Sequence, residues 1–268
     1  MMDQAFILKT ALAQSAEDCA CRPDDFLKNI NVVTESVPSQ GARKYLKLPH
    51  ILDLTSYGSN VVASCRADLK DDIRRIIDRA PGPSSCFETP MIYLINRTLE
   101  KADARVCFMA EYFLPDIDLI FGADLECSLE TRLLFPVDFE SLYLPQWKNA
   151  LCEDRKQLDV LGVGAYDGSR LVGFAGCSAD CEMMWQIGID VLPEYRKRGI
   201  ASALTNRLAR EIIAREKVPF YCAAWSNVRS VKNALRSGFK PAWSQLTAKS
   251  NTFIEDMQAE QLRDTSPA

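Results

Sequence analysis

Residues 187–204 read IGIDVLPEYRKRGIASAL. A strand-like apolar run leaves through Pro193 and meets three adjacent cations, Arg196, Lys197 and Arg198, before Gly199. Beyond the glycine, Ile200, Leu204, Leu208 and Ile212 fall four apart, the spacing of one buried helical stripe. Arg207, Arg210, Glu211 and Arg215 lie mostly off that stripe. A helix beginning near Ile200 leaves its first N–H groups without partners of their own helix. The helix dipole adds partial positive charge at the same end, so geometry and charge together favour a phosphate there. Gly199 and Ala201 keep bulky side chains away from that backbone. Residues 194–215 carry six Lys or Arg and two Glu, in a chain of net charge -4. On spacing alone, a solvated basic turn with a structural glycine fits equally well.

The flanking sequence is strand-rich. VLGVGAY and RLVGFAGCSA flank Asp167-Gly168-Ser169, a hairpin signal because Asp-Gly suits a tight turn. MMWQIGIDV reads as a strand, residues 199–217 as a helix, and PFYCAAWS as a strand. VRSVKNALRSG reads as a helix stopped by Gly238, and FKPAWSQLTA as a last strand. Upstream, LECSLETRLLF suggests one or two strands and DFESLYLPQWKNAL helical turns broken at Pro145. Strands in both hairpin and crossover contexts predict an α+β fold, a mixed sheet with helices packed on it. Residues 1–57 read as partly helical and partly irregular, with a helix start near Asp24 or Asp25. NVVASC, ADLKDDIRRIIDRA, PMIYLINRTLEKA and RVCFMAEYFLP then give strand, helix, helix, strand. The segment after Ser250 is polar with one weak helical stretch.

The chain has 268 residues, enough for one large or two modest domains with a buried core. Its negative net charge argues against global steering to nucleic acid. The ten cysteines are irregularly spaced, no CxxC occurs, and His50 is the single histidine, so no zinc site and no other metal is expected. His50, beside KLP, reads as a surface or packing residue. The N-terminus lacks a signal-peptide pattern, and no apolar run reaches the length of a membrane span. Reduced thiols and a cytoplasmic location follow as expectations. The chain contains no GxxxxGK followed by Ser or Thr, which excludes a P-loop. The GVG at 162–164 sits in the hairpin, with Asp167 where a third glycine would be needed.

IGIDVLPEYRKRGIASAL resembles the acetyl-CoA motif of the GCN5-related N-acetyltransferase (GNAT) family. That motif has Gln or Arg, then Gly after two residues, then Gly or Ala after one more, and follows a Val-x-Pro strand exit. Arg196, Gly199, Ala201, Val191 and Pro193 match. AWSNVRSVKNALRSGF resembles the family's second segment, with Asn227, Ser230, Gly238 and Phe239 in the corresponding places. Both segments together, behind the hairpin, are highly specific, and the likeness covers about half the chain, residues 118–248. It implies acetyl-CoA between two parallel strands that part company. Backbone groups near Ile189 and Val191 would pair with the pantetheine arm. Backbone amides of Arg198, Gly199, Ile200, Ala201 and Ser202, with Arg196 nearby, would hold the pyrophosphate. Asn227 and Ser230 would lie along the pantetheine or near the thioester.

The chain departs from the family where protons move. The tyrosine often found four residues before the glycine of Gly-Phe is Ala234 here. The usual glutamate places on the strand are Trp185 and Gln186. Gln186, Asp190, Asn227 and Tyr221 remain as catalytic candidates. Alternation turns Asp190 to the sheet face opposite Val191, where a structural contact competes with a catalytic one. Tyr221 and Cys222 lie on the following strand, either packing or approaching the sulfur. The resemblance implies an enzyme moving acetyl from acetyl-CoA to an amine, and two-part relatives that modify antibiotics point to a small-molecule amine. A non-catalytic acetyl-CoA-binding sensor or structural protein is the alternative. Three parts are expected: an α/β N-terminal domain at 1–117, the acetyltransferase domain at 118–248, and a polar tail at 249–268. The first part caps the acceptor site, forms a homodimer interface, or is a decayed copy of the second.

Overall fold

The computed structural model describes residues 2–123 and 125–265. In chain order its elements are α1 (Gln4–Cys19), β1 (Val32–Glu35), β2 (Leu52–Ser56), β3 (Val62–Cys65), α2 (Lys70–Ile77), α3 (Thr89–Leu99), β4 (Ala104–Pro115), α4 (Ile117–Gly122), β5 (Glu130–Leu134), α5 (Pro136–Phe139), β6 (Asp159–Asp167), β7 (Arg170–Ser178), β8 (Met184–Val191), α6 (Ile200–Ala214), β9 (Val218–Ala224), α7 (Val228–Arg236), β10 (Phe239–Ser250) and α8 (Asn251–Thr265). This is the α+β class, a mixed sheet with helices. The chain forms two compact units, residues 1–11 with 111–242 and residues 12–110 with 243–268.

These bounds differ from a division at 117/118 followed by a tail at 249. β10 is longer than the strand read from FKPAWSQLTA. Its residues Ser244–Ala248 pair antiparallel with Leu52–Ser56 of β2, which draws the C-terminal segment into the unit of residues 12–110. The first residues join the other unit, where the Gln4 side-chain amide donates to Pro115 O at 3.1 Å. Beyond Ser250 the chain continues as α8 through Thr265, a longer helix than its weak periodicity suggested; residues 266–268 lie outside the described residues. The expected helix near Asp24 is a 3-10 turn, Pro23–Leu27, where Asp25 Oδ2 accepts from Arg22 N at 2.8 Å.

In the unit of 12–110 and 243–268, the strands run β1-β3-β2-β10. β1 and β3 are parallel and the other two pairs are antiparallel. One face is apolar: Leu54, Ala63 and Leu246 pack with Ile73 and Ile77 of α2 and Ile95 and Leu99 of α3. The alternate residues are polar and also buried. Asp53, fully buried, accepts from Thr55, Gln245 and Thr247 at 2.6–2.9 Å. Asp18 and Arg43 form a buried ion pair at 2.5 Å. His50 is buried rather than at the surface, and burial lowers its imidazole pKa.

The unit of 1–11 and 111–242 holds the strand order β5-β6-β7-β8-β9. The first three pairings are antiparallel, with β6 and β7 forming the expected hairpin, and β8 and β9 are parallel. The stripe Ile200, Leu204, Leu208 and Ile212 of α6 is buried against Ile187, Val163, Ala165, Val172 and Phe239. At roughly 1.5–3 kcal/mol for each large apolar side chain removed from water, this stripe anchors α6 to the sheet. The anchoring sets where the N-terminus of α6 points.

Candidate active site

β8 and β9 pair in parallel from Met184↔Val218 to Ile187↔Tyr221 and no further. β8 runs on to Val191 and β9 to Ala224, so the two strands part after Ile187 and Tyr221. A cavity of about 1020 Å³ opens along this fork. Its walls include Gln186, Ile187, Ile189, Asp190 and Val191 of β8 and Tyr221 and Cys222 of β9. Gly199, Ile200, Ala201 and Ser202 line it from α6, and Asn227 and Ser230 from α7.

The start of α6 is built as an amide cradle. Gly199 is the N-cap, left-handed at φ 79°, and Lys197 is also left-handed at φ 64°. The first helical bond runs from Ala203 N to Gly199 O at 3.1 Å. The amides of Ile200, Ala201 and Ser202 therefore have no carbonyl of their own helix to bind. Nothing lies within 4 Å of where a Gly199 Cβ would stand, and Gly199, Ile200, Ala201 and Ser202 all border the cavity. Two left-handed residues beside a helix start form a concavity of N–H groups that suits an anion.

Residues 128–239 match the model of the acetyltransferase (GNAT) family. They are a GNAT-family domain. No curated protein matches the chain. Among solved structures, it is similar to a GNAT-family protein from Novosphingobium aromaticivorans, at 18% identity over 55% of this chain and 66% of that one, TM-score 0.41. A GCN5-related N-acetyltransferase-like protein from Streptococcus suis aligns at 19% over 60% and 69%, TM-score 0.43. An aminoglycoside N-acetyltransferase in complex with CoA aligns at 19% over 45% and 93%, TM-score 0.35. The chain spans about two thirds of the length of the first two. At such TM-scores these likenesses decide neither activity nor substrate.

Within the GNAT domain, the residues read from the sequence occupy distinct roles. Arg196 lines the cavity and donates from Nε to Val191 O at 2.9 Å. The Arg198 side chain turns away, over the Tyr195 ring at 5.1 Å, and bonds Glu194 O. The Ser202 hydroxyl donates to Asn233 Oδ1 at 3.1 Å. Asn227 caps α7 by accepting from Ser230 N at 3.2 Å. Ser230 Oγ and Tyr221 OH are 2.8 Å apart, and burial raises the Tyr221 phenol above its ordinary pKa. Gln186 donates to Cys222 Sγ at 3.1 Å. Ala234 is fully buried in the core.

Asp190 faces away from α6, as alternation requires, and its partners are Asn149 and Ala150. Burial raises its pKa, opposed by these bonds and by Arg196. The sequence reading passed over the cations of α7. Arg229, Lys232 and Arg236 line the cavity with Arg196 and Lys197. Their spacing of three and then four residues puts them on one helix face, a signal present in the sequence. Among the described residues, no cluster of His, Cys, Asp and Glu suits a metal, and no helix is long and apolar enough to cross a membrane.

Proposed function

We propose that this protein transfers acetyl from acetyl-CoA directly to the amine of a small molecule. The fork between β8 and β9, ending on the cradle at Gly199–Ser202, is the observation that carries this reading. The pantetheine arm runs along Ile189 and Val191 as an added strand edge. The pyrophosphate sits on the amides of Arg198 to Ser202, and Arg196, Lys197, Arg229, Lys232 and Arg236 supply charge to the phosphates. The thioester then lies where the strands part, beside Tyr221.

The amine nitrogen attacks the thioester carbon, a C–N bond forms, the C–S bond breaks, and the electron pair leaves with sulfur. The Tyr221 hydroxyl donates a hydrogen bond to the departing thiolate, the task Ala234 cannot perform. The amine proton passes to water, because Gln186 is no base and Asp190 already accepts three N–H bonds. Positioning supplies most of the rate. The absence of a carboxylate at Trp185 and Gln186 is the observation favouring the second reading, an acetyl-CoA sensor without turnover. Thiol release from acetyl-CoA in the presence of a panel of primary amines separates the two. Acetyl-CoA binding with no thiol release across the panel overturns the enzyme reading.

A further inference from the structure

Helix α7, VRSVKNALR, carries three cations and no acid. Arg229, Lys232 and Arg236 lie three and then four residues apart, which puts them on one helix face. All three are exposed, and all three line the cavity. Elsewhere in the chain helical cations have acidic partners one turn away: Arg75 pairs with Asp72 on α2, and Arg215 with Glu211 at the end of α6. Among the described residues, no ion pair engages the three cations of α7. Like charges at this spacing destabilise a helix, so the face is complete only with an anion from outside the chain.

α7 is held beside the cradle. The buried Asn233, next to Lys232, accepts from Ser202 Oγ at 3.1 Å and donates from Nδ2 to Thr205 Oγ1 at 3.0 Å, both on α6. Ser237, next to Arg236, donates from its hydroxyl to Ser202 O at 3.3 Å. The cationic face therefore stands beside the start of α6, and from Arg229 to Arg236 it runs roughly 10 Å along the helix axis. Arg196 and Lys197 reach the same cavity from the turn before α6. Asp190 is the single carboxylate of the lining among the described residues, and Asn149 and Ala150 already bond it.

Acetyl-CoA carries its charge in two places. The pyrophosphate holds one negative charge on each phosphorus, and the free amides of α6 with Arg196 and Lys197 answer these. The ribose 3′-phosphate is a monoester and approaches two negative charges at neutral pH. We infer that the face of Arg229, Lys232 and Arg236 is a site for that 3′-phosphate, so that the donor is a 3′-phosphorylated CoA thioester and a dephospho-CoA thioester is a poor substitute. This assignment rests on the acetyltransferase reading above, which itself needs only the pyrophosphate and the pantetheine arm. The pantetheine arm and the adenine are neutral, and the acetyl end lies at the fork. The 3′-phosphate is thus the group of the donor with charge enough to relieve three cations on one helix face.

CoA and 3′-dephospho-CoA differ only in this phosphate. In calorimetric titrations of the whole chain at low ionic strength, dephospho-CoA should bind about tenfold more weakly or worse, as expected for charge-assisted hydrogen bonds at an exposed site. The triple variant Arg229→Gln, Lys232→Gln, Arg236→Gln should lose CoA affinity until the ratio of the two dissociation constants is about one. Lys232→Gln alone, a single exposed change, should lower the ratio in part. The double variant Arg196→Gln, Lys197→Gln removes charge from the turn instead. It should weaken both ligands alike and keep the ratio, which a general attraction between net charges would not do. A ratio near one in the parent protein overturns the assignment, as does a ratio preserved in the α7 variants or lost equally in the turn variant. Equal binding of both ligands leaves the acetyltransferase reading standing without the 3′-phosphate site, whereas binding of neither by the parent protein overturns both.

Discussion

Asp190 accepts both the backbone N–H and the side-chain amide of Asn149, at 2.8 and 2.6 Å, from a residue 41 positions earlier in the chain. The pair joins β8 to the segment that follows Trp147, and it explains why a carboxylate placed on the cavity wall is no free base. Its oxygens are held by three donors, and releasing them would strand backbone N–H groups beside the sheet. Gly188 makes the approach possible. Gly188→Ala would put a methyl 1.7 Å from the Asn149 carbonyl oxygen, and both partners are backbone-fixed. The expected cost is about 3 kcal/mol or more, at the upper end for overpacking. The denaturant midpoint of Gly188→Ala against the parent protein measures it; a loss below about 1 kcal/mol would mean the segment is not seated on the strand as described.

The cradle at Gly199 separates conformational from steric effects. Gly199→Ala meets no neighbour within 4 Å, so its cost comes only from a left-handed φ of 79°. That cost is about 1–2 kcal/mol. Gly199→Glu adds a negative side chain over the free amides, and acetyl-CoA binding should disappear while the fold persists. Calorimetric titration with acetyl-CoA, alongside circular dichroism, checks both variants. Normal binding by the glutamate variant would place the pyrophosphate elsewhere. Arg196→Ala should weaken binding less than Gly199→Glu, because the backbone amides remain.

The parts of the fold that repeat locally were legible. The four-residue spacing from Ile200 to Ile212 located α6 and hence the cradle, and Asp167-Gly168 located the hairpin. β1 and β2 were not. VVTE is four residues long, and Leu52-Asp53-Leu54-Thr55 carries polar residues that are buried, so alternation signals an exposed face that does not exist. The partners that satisfy Asp53, Gln245 and Thr247, lie 192 and 194 positions away. No local rule reaches that far. Within the site, Asn227 was read as lying along the pantetheine or near the thioester, and its capping of Ser230 N appears only once α7 is placed. A structural contact was one of the two readings of Asp190, but its partner was not legible, because only the fold brings Asn149 to it. Arg229, Lys232 and Arg236 are a different case, since their helical spacing stood in the sequence unread.

Asp159 makes stability depend on pH in a direction opposite to that of a salt-bridged carboxylate. It is 3% exposed, and burial raises its pKa to about 6, opposed by bonds from Cys152 N and Tyr143 OH. The folded protein therefore binds this proton more tightly than the unfolded chain does. Stability from this group is greatest below the unfolded value near 3.8 and is lost as pH rises through about 6. The difference at pH 7 is about 3 kcal/mol. Asp159→Asn retains an oxygen acceptor for Cys152 N and Tyr143 OH and carries no charge. Its unfolding free energy should exceed that of the parent protein at neutral pH and vary less between pH 4 and 6, the range between the two pKa values. Denaturant melts at a series of pH values test this; a parallel pair of pH profiles would show that Asp159 is not the group responsible.

Tyr221, not Ala234, is the phenol-bearing position that the proposed reaction uses. Tyr221 reaches the fork from β9, its hydroxyl 2.8 Å from Ser230 Oγ, and its raised pKa keeps it a donor at neutral pH. Tyr221→Phe removes only the hydroxyl. If that hydroxyl stabilises the departing thiolate, kcat should fall about 100-fold, the size of an oxyanion-type contribution, with KM for acetyl-CoA little changed. Ala234 is fully buried in the core, and protein interiors are close-packed. Ala234→Tyr in the Tyr221→Phe background should therefore restore no activity and should cost about 1–3 kcal/mol of stability by overpacking. Steady-state kinetics with a chosen amine, combined with thermal denaturation, gives both numbers. Full activity in Tyr221→Phe would show that the departing thiolate does not depend on the Tyr221 hydroxyl, and rescue by Ala234→Tyr would show that α7 can present a donor to the fork after all.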